Sequence, residues 1–569
     1  MSDTTTRSRR PSARRLPLAA PLRLARPSDM WFKPALSVVV ATAVPDLVLF
    51  AIDRLDLVMY TMAGSLCALY GHNLPYARRA RAVAGVVVSM VVGLAISLVA
   101  ASLTGSTAVL IAVGALLAAA QKTLCDATRI GPPGPVIFTF VTSAALFVPQ
   151  HPGQVPGHLA LTLAAGAIAW LVTAGPALVR REGPERRATA RALDAAAAYL
   201  TDPGHRTRHA AAATVHAAWQ TLLAAGRPSP VRRSLERLVV HAEAALAAGT
   251  LGDVPALPAP APDPEQLRAW ARRTRARGPV PTPPPAPGTT EELFGIDAER
   301  AARGTSRREA RRALLRSLAP GSPLLPIGAR TLVGCALAGY VSQAAGVGRP
   351  YWAIVTAASL YQANVTLSWN RALQRTLGNL LGVLVFAAIL PVSRTGPLAL
   401  IGFCLFFGFA AEALITRNYW LGSVAVTPMA LLVLEFGGTH PAGELIGDRV
   451  LDTVIGAGVG ILAAMLVTNR RAAGRLEKAL AATDLARAHA VHALAAPQPT
   501  PAALDAARRR LTGSLVELRE ADDTAAGEWW QRALPQERVL AAEQAGHRTL
   551  AATATRRGPI ARAPENGAV

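Results

Sequence analysis

The amino-acid sequence predicts an all-α polytopic membrane protein with two parallel halves of six membrane helices each. Three observations lead to this fold class. The chain has 569 residues, of which 51% are hydrophobic and only 17% charged, whereas a soluble protein carries about 25% charged residues. Many apolar runs approach the length of about 20 residues that crosses a bilayer. Arginine residues gather at alternate ends of these runs, which is typical of cytoplasmic loops.

Twelve apolar runs are candidate spans. The first half, residues 31–179, contains Trp31–Ile52, Leu57–Gly71, Ala82–Leu103, Thr107–Cys125, Pro135–Val148 and Leu159–Val179. The second half, residues 326–468, contains Ile327–Ala345, Tyr351–Val365, Thr376–Leu390, Pro397–Ile415, Tyr419–Phe436 and Val450–Val467.

Three polar regions flank and separate these halves: a basic arm over residues 1–30, a central region over 180–325 and a tail over 469–569. Alanine-rich patterns with helical period predict soluble helices in the last two regions. They cover Arg186–Leu200, His209–Ala225, Val231–Ala248, Glu265–Ala276, Arg471–Leu494 and Ala502–Ala521. Pro255–Pro287 is predicted to be a proline-rich linker, and the last ten or so residues are predicted to be disordered.

The placement of arginine predicts one orientation. Arginines follow the second, fourth and sixth runs of the first half and recur at matching places in the second, whereas residues 150–157 carry no Lys or Arg. Both termini and the central region are therefore expected in the cytoplasm, in the plasma membrane of a high-G+C bacterium. The net charge of +23 has the same origin. Nucleic-acid binding is not expected, because the basic residues form no compact domain with stacking aromatics.

The two halves also match as a sequence repeat with an offset of about 290 residues. Three pairs of segments carry the match: residues 78–85 with 371–378, residues 128–139 with 416–427, and Gly166 with Gly456. Because each half has an even number of spans, the halves should run in the same sense, related by an axis along the membrane normal.

Motifs for nucleotide, metal or covalent chemistry are missing from the sequence. Lys122 is the only lysine followed by Ser or Thr, and Gln121 precedes it rather than the glycine of a P-loop. The four cysteines form no CxxC pair and are interpreted as small apolar residues. We therefore expect no enzyme, no metal and no cofactor, and any uphill transport should draw on an ion gradient.

Charged residues inside apolar runs are the first candidates for function, because a charge at the centre of a span costs about 2.5–3.5 kcal/mol. Glu412 is the most deeply placed acid and Asp46, beside a proline, is the next. We interpret both as candidates for proton coupling or substrate lining, with Asp452 as a further candidate. For Asp452, Glu435 and Arg330, interfacial snorkelling is the alternative.

A second group of polar residues surrounds the eighth and ninth spans. Arg371, Arg375 and Gly378 stand at i, i+4 and i+7 and so share one helical face. Two arginines on one face favour an organic anion; the alternative is ordinary positive-inside charge. Tyr351 and Trp352 fit an aromatic belt better than a platform for an aromatic substrate. Gly378 begins a G-x-x-x-G pattern that is typical of helix packing.

These residues resemble the fusaric acid resistance protein-like (FUSC) family of the aromatic acid exporters, best over residues 326–468. The matching motifs are Tyr351-Trp352-Ala353, Arg371-x-x-x-Arg375-x-x-Gly378-x-x-x-Gly382, Arg417-Asn418-Tyr419-Trp420 and Arg449-x-x-Asp452-Thr453-x-x-Gly456. The resemblance implies two six-helix halves, each followed by a cytoplasmic helical region, and efflux of aromatic carboxylic acids in some members. It adds Arg417 to the substrate-binding candidates. Asn379 stands where the family pattern leads us to expect Thr, which leaves the substrate open.

The leading hypothesis is an inner-membrane secondary exporter of organic anions, driven by protons, whose partners are the lipid bilayer and a small organic anion. In it, Arg371 and Arg375 attract the carboxylate, and Glu412 or Asp46 carries the proton. The alternatives are a passive organic-anion channel, since related plant proteins pass organic anions, and a membrane scaffold whose cytoplasmic helices bind a partner. Substrate identity, coupling ion and homo-oligomerisation stay open.

Cysteines introduced singly at positions 20, 270 and 560 of a cysteine-free variant test the predicted orientation. None should react with a membrane-impermeant maleimide added to intact cells, because all three positions are expected in the cytoplasm. All should react after permeabilisation, which is the control. Labelling of any of them in intact cells contradicts the orientation.

Overall fold

A computed structural model describes residues 19–24, 31–225, 229–251, 263–283, 322, 324–362, 364–466, 472–497, 500–527 and 535–555. Across these residues the regular structure is helical and includes no strand. The predicted all-α fold class is confirmed.

The first part of the chain forms seven α-helices within the described residues and several short 3₁₀ turns. They are α1 Phe32–Ala51, α2 Val58–Ser65 (continued by a 3₁₀ turn to Leu69), α3 Tyr76–Leu103, α4 Thr107–Thr128, α5 Val136–Leu146, α6 Val155–Ala174 and α7 Pro176–Val179. The polar helices of the central region are α8 Gly183–Thr201, α9 His205–Ala224, α10 Pro230–Leu251 and α11 Pro264–Arg275.

The second membrane half and the tail complete the fold. The membrane helices are α12 Leu325–Ala344, α13 Tyr351–Leu360, α14 Val365–Ser393, α15 Pro397–Ile415, α16 Tyr419–Glu435 and α17 Ala442–Leu466. The tail helices are α18 Ala472–Ala495, α19 Pro501–Ala526 and α20 Gln536–Thr555.

The helix lengths correct the predicted spans. Eight helices in the described ranges are long and apolar enough to cross a bilayer, whereas the second, fifth, eighth and eleventh runs form shorter apolar helices. The third and ninth spans begin earlier than predicted, since α3 begins at Tyr76 and α14 at Val365. The arginines at 78–81 and 371–375 therefore lie within helices and not in loops. Hydropathy missed these turns because their polar residues lower the average of any window that contains them.

The two halves use the same packing pairs. Helix α2 packs on α6, and α3 packs on α5 and α6; likewise α13 packs on α17, and α14 packs on α16 and α17. Between the halves, α1 packs on α15 and α4 packs on α12. The first helix of each half thus contacts the fourth helix of the other half.

The polar helices of the central region and of the tail pack into one layer rather than two separate regions. Helix α8 packs on α9, α10 and α11; α18 packs on α19 and α20; and α9 and α10 contact α19 and α20 respectively. Across this contact the Glu243 carboxylate pairs with Arg508 of the tail at 2.6 Å, and within the central region it accepts from the Trp219 indole at 2.8 Å. Both members of the ion pair are buried.

This polar layer is tied directly to the membrane helix α14. The carbonyl oxygen of Gly527, at the end of α19, accepts hydrogen bonds from the Thr366 backbone and hydroxyl groups at 3.0 and 2.8 Å. The Asn364 side chain caps α14 by accepting from Leu367 N at 2.8 Å. Backbone N–H groups in the first turn of a helix lack partners within it. Here the Gly527 carbonyl oxygen and the Asn364 side chain accept hydrogen bonds from two of these groups.

The four cysteines are buried and free, as expected for small apolar residues. Of the predicted linker over Pro255–Pro287, residues 263–283 are described, and helix α11 occupies Pro264–Arg275 within it. The rest of the linker, most of the basic arm and the last residues of the tail lie outside the described residues, so those predictions stay untested.

Glycines permit close approach where membrane helices cross. A Cβ on Gly378 would lie 2.5 Å from the Trp420 carbonyl oxygen, and one on Gly382 would lie 2.9 Å from the Val424 carbonyl oxygen. The packing interpretation of this G-x-x-x-G pattern is confirmed. On α17, a Cβ on Gly456 would lie 2.7 Å from the carbonyl oxygen of Ala353.

Substituting Gly456 tests this packing, and α17 itself supplies the control. Gly456→Leu should destabilise the protein by about 1–3 kcal/mol or more, because overpacking forces α17 away from α13. Gly458→Leu should be tolerated, since a Cβ there meets no atom within 4 Å. Thermal unfolding of the detergent-solubilised variants measures both effects. Equal stability of the two variants contradicts the packing described.

Candidate functional site

A cavity of about 1890 Å³ lies between the two halves and is lined by both. In the first half it follows α3, α4 and the start of α5; in the second it is bounded by α13, α14, α15, α16 and α17. Arg187 and Arg191 of α8 also line it, so the cavity reaches the side of the membrane helices where the polar layer packs. Its volume exceeds the roughly 300–1,000 Å³ of a typical small-molecule pocket.

Helix α14 presents three polar side chains to this cavity at a spacing of four residues. Arg371, Arg375 and Asn379 all line it, as their shared helical face requires. The Arg371 guanidinium lies 3.7 Å from the centre of the Tyr419 ring, and Arg375 donates to the Tyr419 hydroxyl at 2.9 Å. Tyr419, at the start of α16, thus fixes the positions of both arginines.

A third arginine reaches the cavity from α17. Arg449 is only 1% exposed, yet it lines the cavity. Its guanidinium carbon lies 3.9 Å from the centre of the Trp352 ring, and one terminal nitrogen donates to Asn379 Oδ1 at 3.3 Å. A cation over an aromatic face is stabilised by the ring quadrupole. Its other two guanidinium nitrogens, and Nε of Arg375, make no hydrogen bond within the described residues.

Asn379 joins three helices at this point. Its amide oxygen accepts from Thr427 of α16 at 2.8 Å as well as from Arg449, and its amide nitrogen donates to Thr453 of α17 at 3.1 Å. The amide supplies an acceptor oxygen and a donor nitrogen from one uncharged terminal group. The departure from Thr noted in the sequence is therefore structural: Asn379 holds Arg449 in place while remaining uncharged.

We name Arg371, Arg375 and Arg449 the basic cluster. Guanidinium groups bind carboxylates through two parallel hydrogen bonds, and the cluster retains unpaired donors beside an open cavity. In the first half, Gln121 pairs with Thr139 and Thr142 at 3.2 Å each, and Arg78, Arg81, Lys122 and Arg129 also line the cavity. The unpaired donors of the basic cluster are suited to holding an organic anion at the second-half wall.

The predicted acids differ in their relation to the cavity. Glu412 of α15 lines it. Asp46 is 1% exposed, lies off the cavity, and has neither carboxylate oxygen in a hydrogen bond within the described part of the chain. Asp452 is also buried away from the cavity and accepts a hydrogen bond from Ser342. Snorkelling is therefore wrong for Asp452, because its carboxylate does not reach an interface.

The other predicted binding residues separate into two groups. Trp352 lines the cavity, where it stacks on Phe140 with ring centres 5.5 Å apart. Tyr351 is buried outside the cavity lining. The aromatic-belt interpretation is wrong for both, because they are only 4% and 2% exposed. Arg417 is exposed at the turn before α16 and does not line the cavity.

Three residues of the site were missed as binding candidates: Arg449, Asn379 and Tyr419. All stand in the motifs that carry the family resemblance, and that was the only signal available in the sequence. Each depends on a contact between helices distant in the chain, which periodicity does not reveal.

The segment at residues 19–24 docks beside the site. The Gln374 and Asn418 side chains donate to the carbonyl oxygen of Pro21 at 2.7 and 2.8 Å, and the Trp420 indole donates to Leu22 O at 3.2 Å. These partners lie on α14 and at the start of α16, so the N-terminal segment bridges the two helices that carry Arg371 and Tyr419. Within the described ranges, no group of three His, Cys, Asp or Glu side chains is arranged to hold a metal ion.

Comparison with known proteins agrees with the family resemblance. Residues 337–463, which include the whole basic cluster, match the family model described as fusaric acid resistance protein-like. A Bacillus subtilis protein named as an uncharacterized membrane protein, YvaC, is 32% identical over 187 residues, which cover 32% of this chain and 28% of that protein. The match thus spans less than a third of either protein. No solved structure matches the chain. The predicted resemblance is confirmed, and it points to a membrane transporter in general.

Asn379→Asp tests whether the basic cluster binds anions. The new carboxylate would sit at the oxygen that faces Arg449, so we expect benzoate affinity to fall about tenfold or more while the protein still folds. Asn73→Asp is the control, because it adds the same charge to the lining of the same cavity away from the cluster. Equilibrium binding to purified protein is the measurement. Equal losses in both variants would indicate a general charge effect and contradict a local site.

Proposed function

We propose that the protein is a secondary transporter that exports organic anions, and aromatic carboxylic acids in particular, from a bacterial cytoplasm. The observation that carries this proposal is the basic cluster, with its unpaired guanidinium donors, at the wall of a cavity shared by both halves. The family match over residues 337–463 supports transport in general. Trp352 and Phe140 at the cavity wall add an aromatic surface beside Arg449.

The proposal includes the orientation and the repeat inferred from the sequence. The polar layer and the cavity mouth beside it are assigned to the cytoplasm, in agreement with the arginine pattern. The matching helix pairs of the two halves support descent from a repeat of six helices. Substrate would enter the cavity from the cytoplasm and be released on the other side as the halves rearrange.

In this mechanism each polar group has one task. Arg371 and Arg375 receive the carboxylate, and Tyr419 holds the two guanidinium groups in place. Arg449 supplies further donors deeper in the cavity. Glu412 lines the same cavity from α15 and is the proposed carrier of the coupling proton, since proton relays within membranes use buried carboxyl groups.

Alanine substitution of the two α14 arginines tests substrate binding. Arg371→Ala and Arg375→Ala should each lower benzoate export about ten- to a hundredfold, because a charge-assisted hydrogen bond contributes about 1.5–3 kcal/mol. Lysine at either position should restore export only in part, because it lacks the bidentate geometry. Export from cells loaded with radiolabelled benzoate is the measurement.

Arg417→Ala is the matched control for these variants, since Arg417 is exposed and lies off the cavity. Normal export in both single variants and in the double variant would leave Arg371 and Arg375 with a role in topology alone.

Glu412→Gln tests the coupling. The variant should fold and insert but lose uphill efflux, because the amide cannot exchange a proton; Asp46→Asn should be next in severity. Efflux is measured in energised vesicles with and without an imposed pH gradient, and Glu444→Gln, at an exposed position, is the control. Proton coupling through these acids is wrong if wild-type efflux is the same with and without the pH gradient, or if efflux in both variants responds to the gradient as in wild type. A passive channel is then the better description.

A further inference from the structure

The cavity extends along a groove between α3 and α4 in the first half. Helix α3 packs mainly on α5 and α6, and α4 packs mainly on α12, so the two helices diverge. Gly85, Ser89, Val92 and Ile96 of α3 line the cavity at the spacing of one helical face. A Cβ on Gly85 would meet no atom within 4 Å.

In the second half, α16 occupies the corresponding place, packed against both α14 and α15. The first turns of α16 follow α15 after a three-residue turn at 416–418 and pack closely against α14 at Gly378 and Gly382. By the sequence match of Arg129 with Arg417, these turns correspond to residues 131–135, which read Gly-Pro-Pro-Gly-Pro. Adjacent prolines and glycines disfavour a helix. Helix α5 therefore begins only at Val136, and residues 131–135 line the cavity instead.

The groove faces the surroundings of the membrane helices as well as the cavity. Val88, Val92 and Ile96 line the cavity, yet they are 59%, 54% and 47% exposed. All three belong to α3, a helix long and apolar enough to cross the bilayer, so their exposed surface is expected to contact lipid. Arg371 and Arg375 line the same continuous cavity from the second half. Along α3 the lining thus changes from basic at Arg78 and Arg81 to apolar and exposed at Val92 and Ile96, and the basic cluster lies on the opposite wall.

We propose that the groove between α3 and α4 is a lateral portal through which an amphipathic carboxylate enters from the bilayer. The carboxylate binds at Arg371 and Arg375, and the apolar tail lies along Gly85, Ser89 and Val92. Charge complementarity fixes the orientation of the molecule, because the apolar groove solvates a tail and the basic cluster an anionic head. This inference rests on the proposed function and extends its substrate class to acids that partition into lipid.

Binding of two probes to the full-length protein in lipid nanodiscs tests the portal. The probes are benzoate and 4-octylbenzoate, which share a head group and differ in the tail, with empty nanodiscs subtracted. Wild type should bind 4-octylbenzoate about tenfold or more tighter than benzoate, because the groove buries the tail. Gly85→Trp and Ser89→Trp, which fill the groove, should remove this advantage and leave benzoate binding unchanged.

Ala84→Trp is the matched control, because Ala84 is exposed on the same turn of α3 but does not line the cavity. It should bind 4-octylbenzoate more tightly than benzoate by the same factor as wild type. If the advantage survives in both groove variants, or is absent from wild type, the portal is wrong. If the groove variants instead lose a dimer seen in wild type while the tail advantage persists, the groove is an interface for a second copy and the portal is likewise wrong.

Arg371→Ala with Arg375→Ala separates the failure of this inference from the failure of the proposed function. Loss of benzoate binding in the double variant upholds the anion site, whatever the tail experiment gives. The anion site and the portal are both wrong if the double variant binds both acids as tightly as wild type, or if wild type binds neither acid.

Discussion

The rest of the site depends on how the buried guanidinium of Arg449 is accommodated inside a membrane protein. A charge at this depth is costly unless polar or aromatic partners replace water. Three features do so: the face of the Trp352 ring, the amide oxygen of Asn379, and the cavity itself. Because Asn379 also binds Thr427 and Thr453, the same amide fixes the crossing of α14, α16 and α17. Asn379 therefore both positions the Arg449 charge and fixes the packing of these three helices.

The two halves have similar helix pairs but different polar centres. The second half contains the basic cluster, whereas the first half has the uncharged group around Gln121 and lines the cavity with Arg78, Arg81, Lys122 and Arg129. The first half also retains the groove that proline and glycine at residues 131–135 leave open. In the proposed mechanism, the second half binds the carboxylate of the substrate and the first half admits its apolar tail. The polar layer is bonded to the start of α14 through Gly527, so movement of that layer would act directly on the helix that carries Arg371 and Arg375.

Much of the fold could be predicted from the sequence, because hydropathy and helical period report local structure. The shared face of Arg371 and Arg375 followed from their spacing alone. Contacts between distant helices could not be predicted, and so the roles of Arg449 and Asn379 were missed. Hydropathy also does not distinguish an aromatic residue that faces lipid from one inside a helix bundle, since both surroundings are apolar. For that reason Trp352 was assigned to an interfacial belt, whereas it lies beneath Arg449.

The most direct measurement of the central claim is an electron cryomicroscopy structure of the protein with 4-iodobenzoate, whose iodine marks the orientation of the ring. We expect density for the acid in the cavity, with its carboxylate within hydrogen-bonding distance of Arg371 or Arg375 and its ring directed away from the basic cluster. Well-resolved density for the cluster with no bound acid at saturating concentration, or a carboxylate bound away from all three arginines, would contradict it.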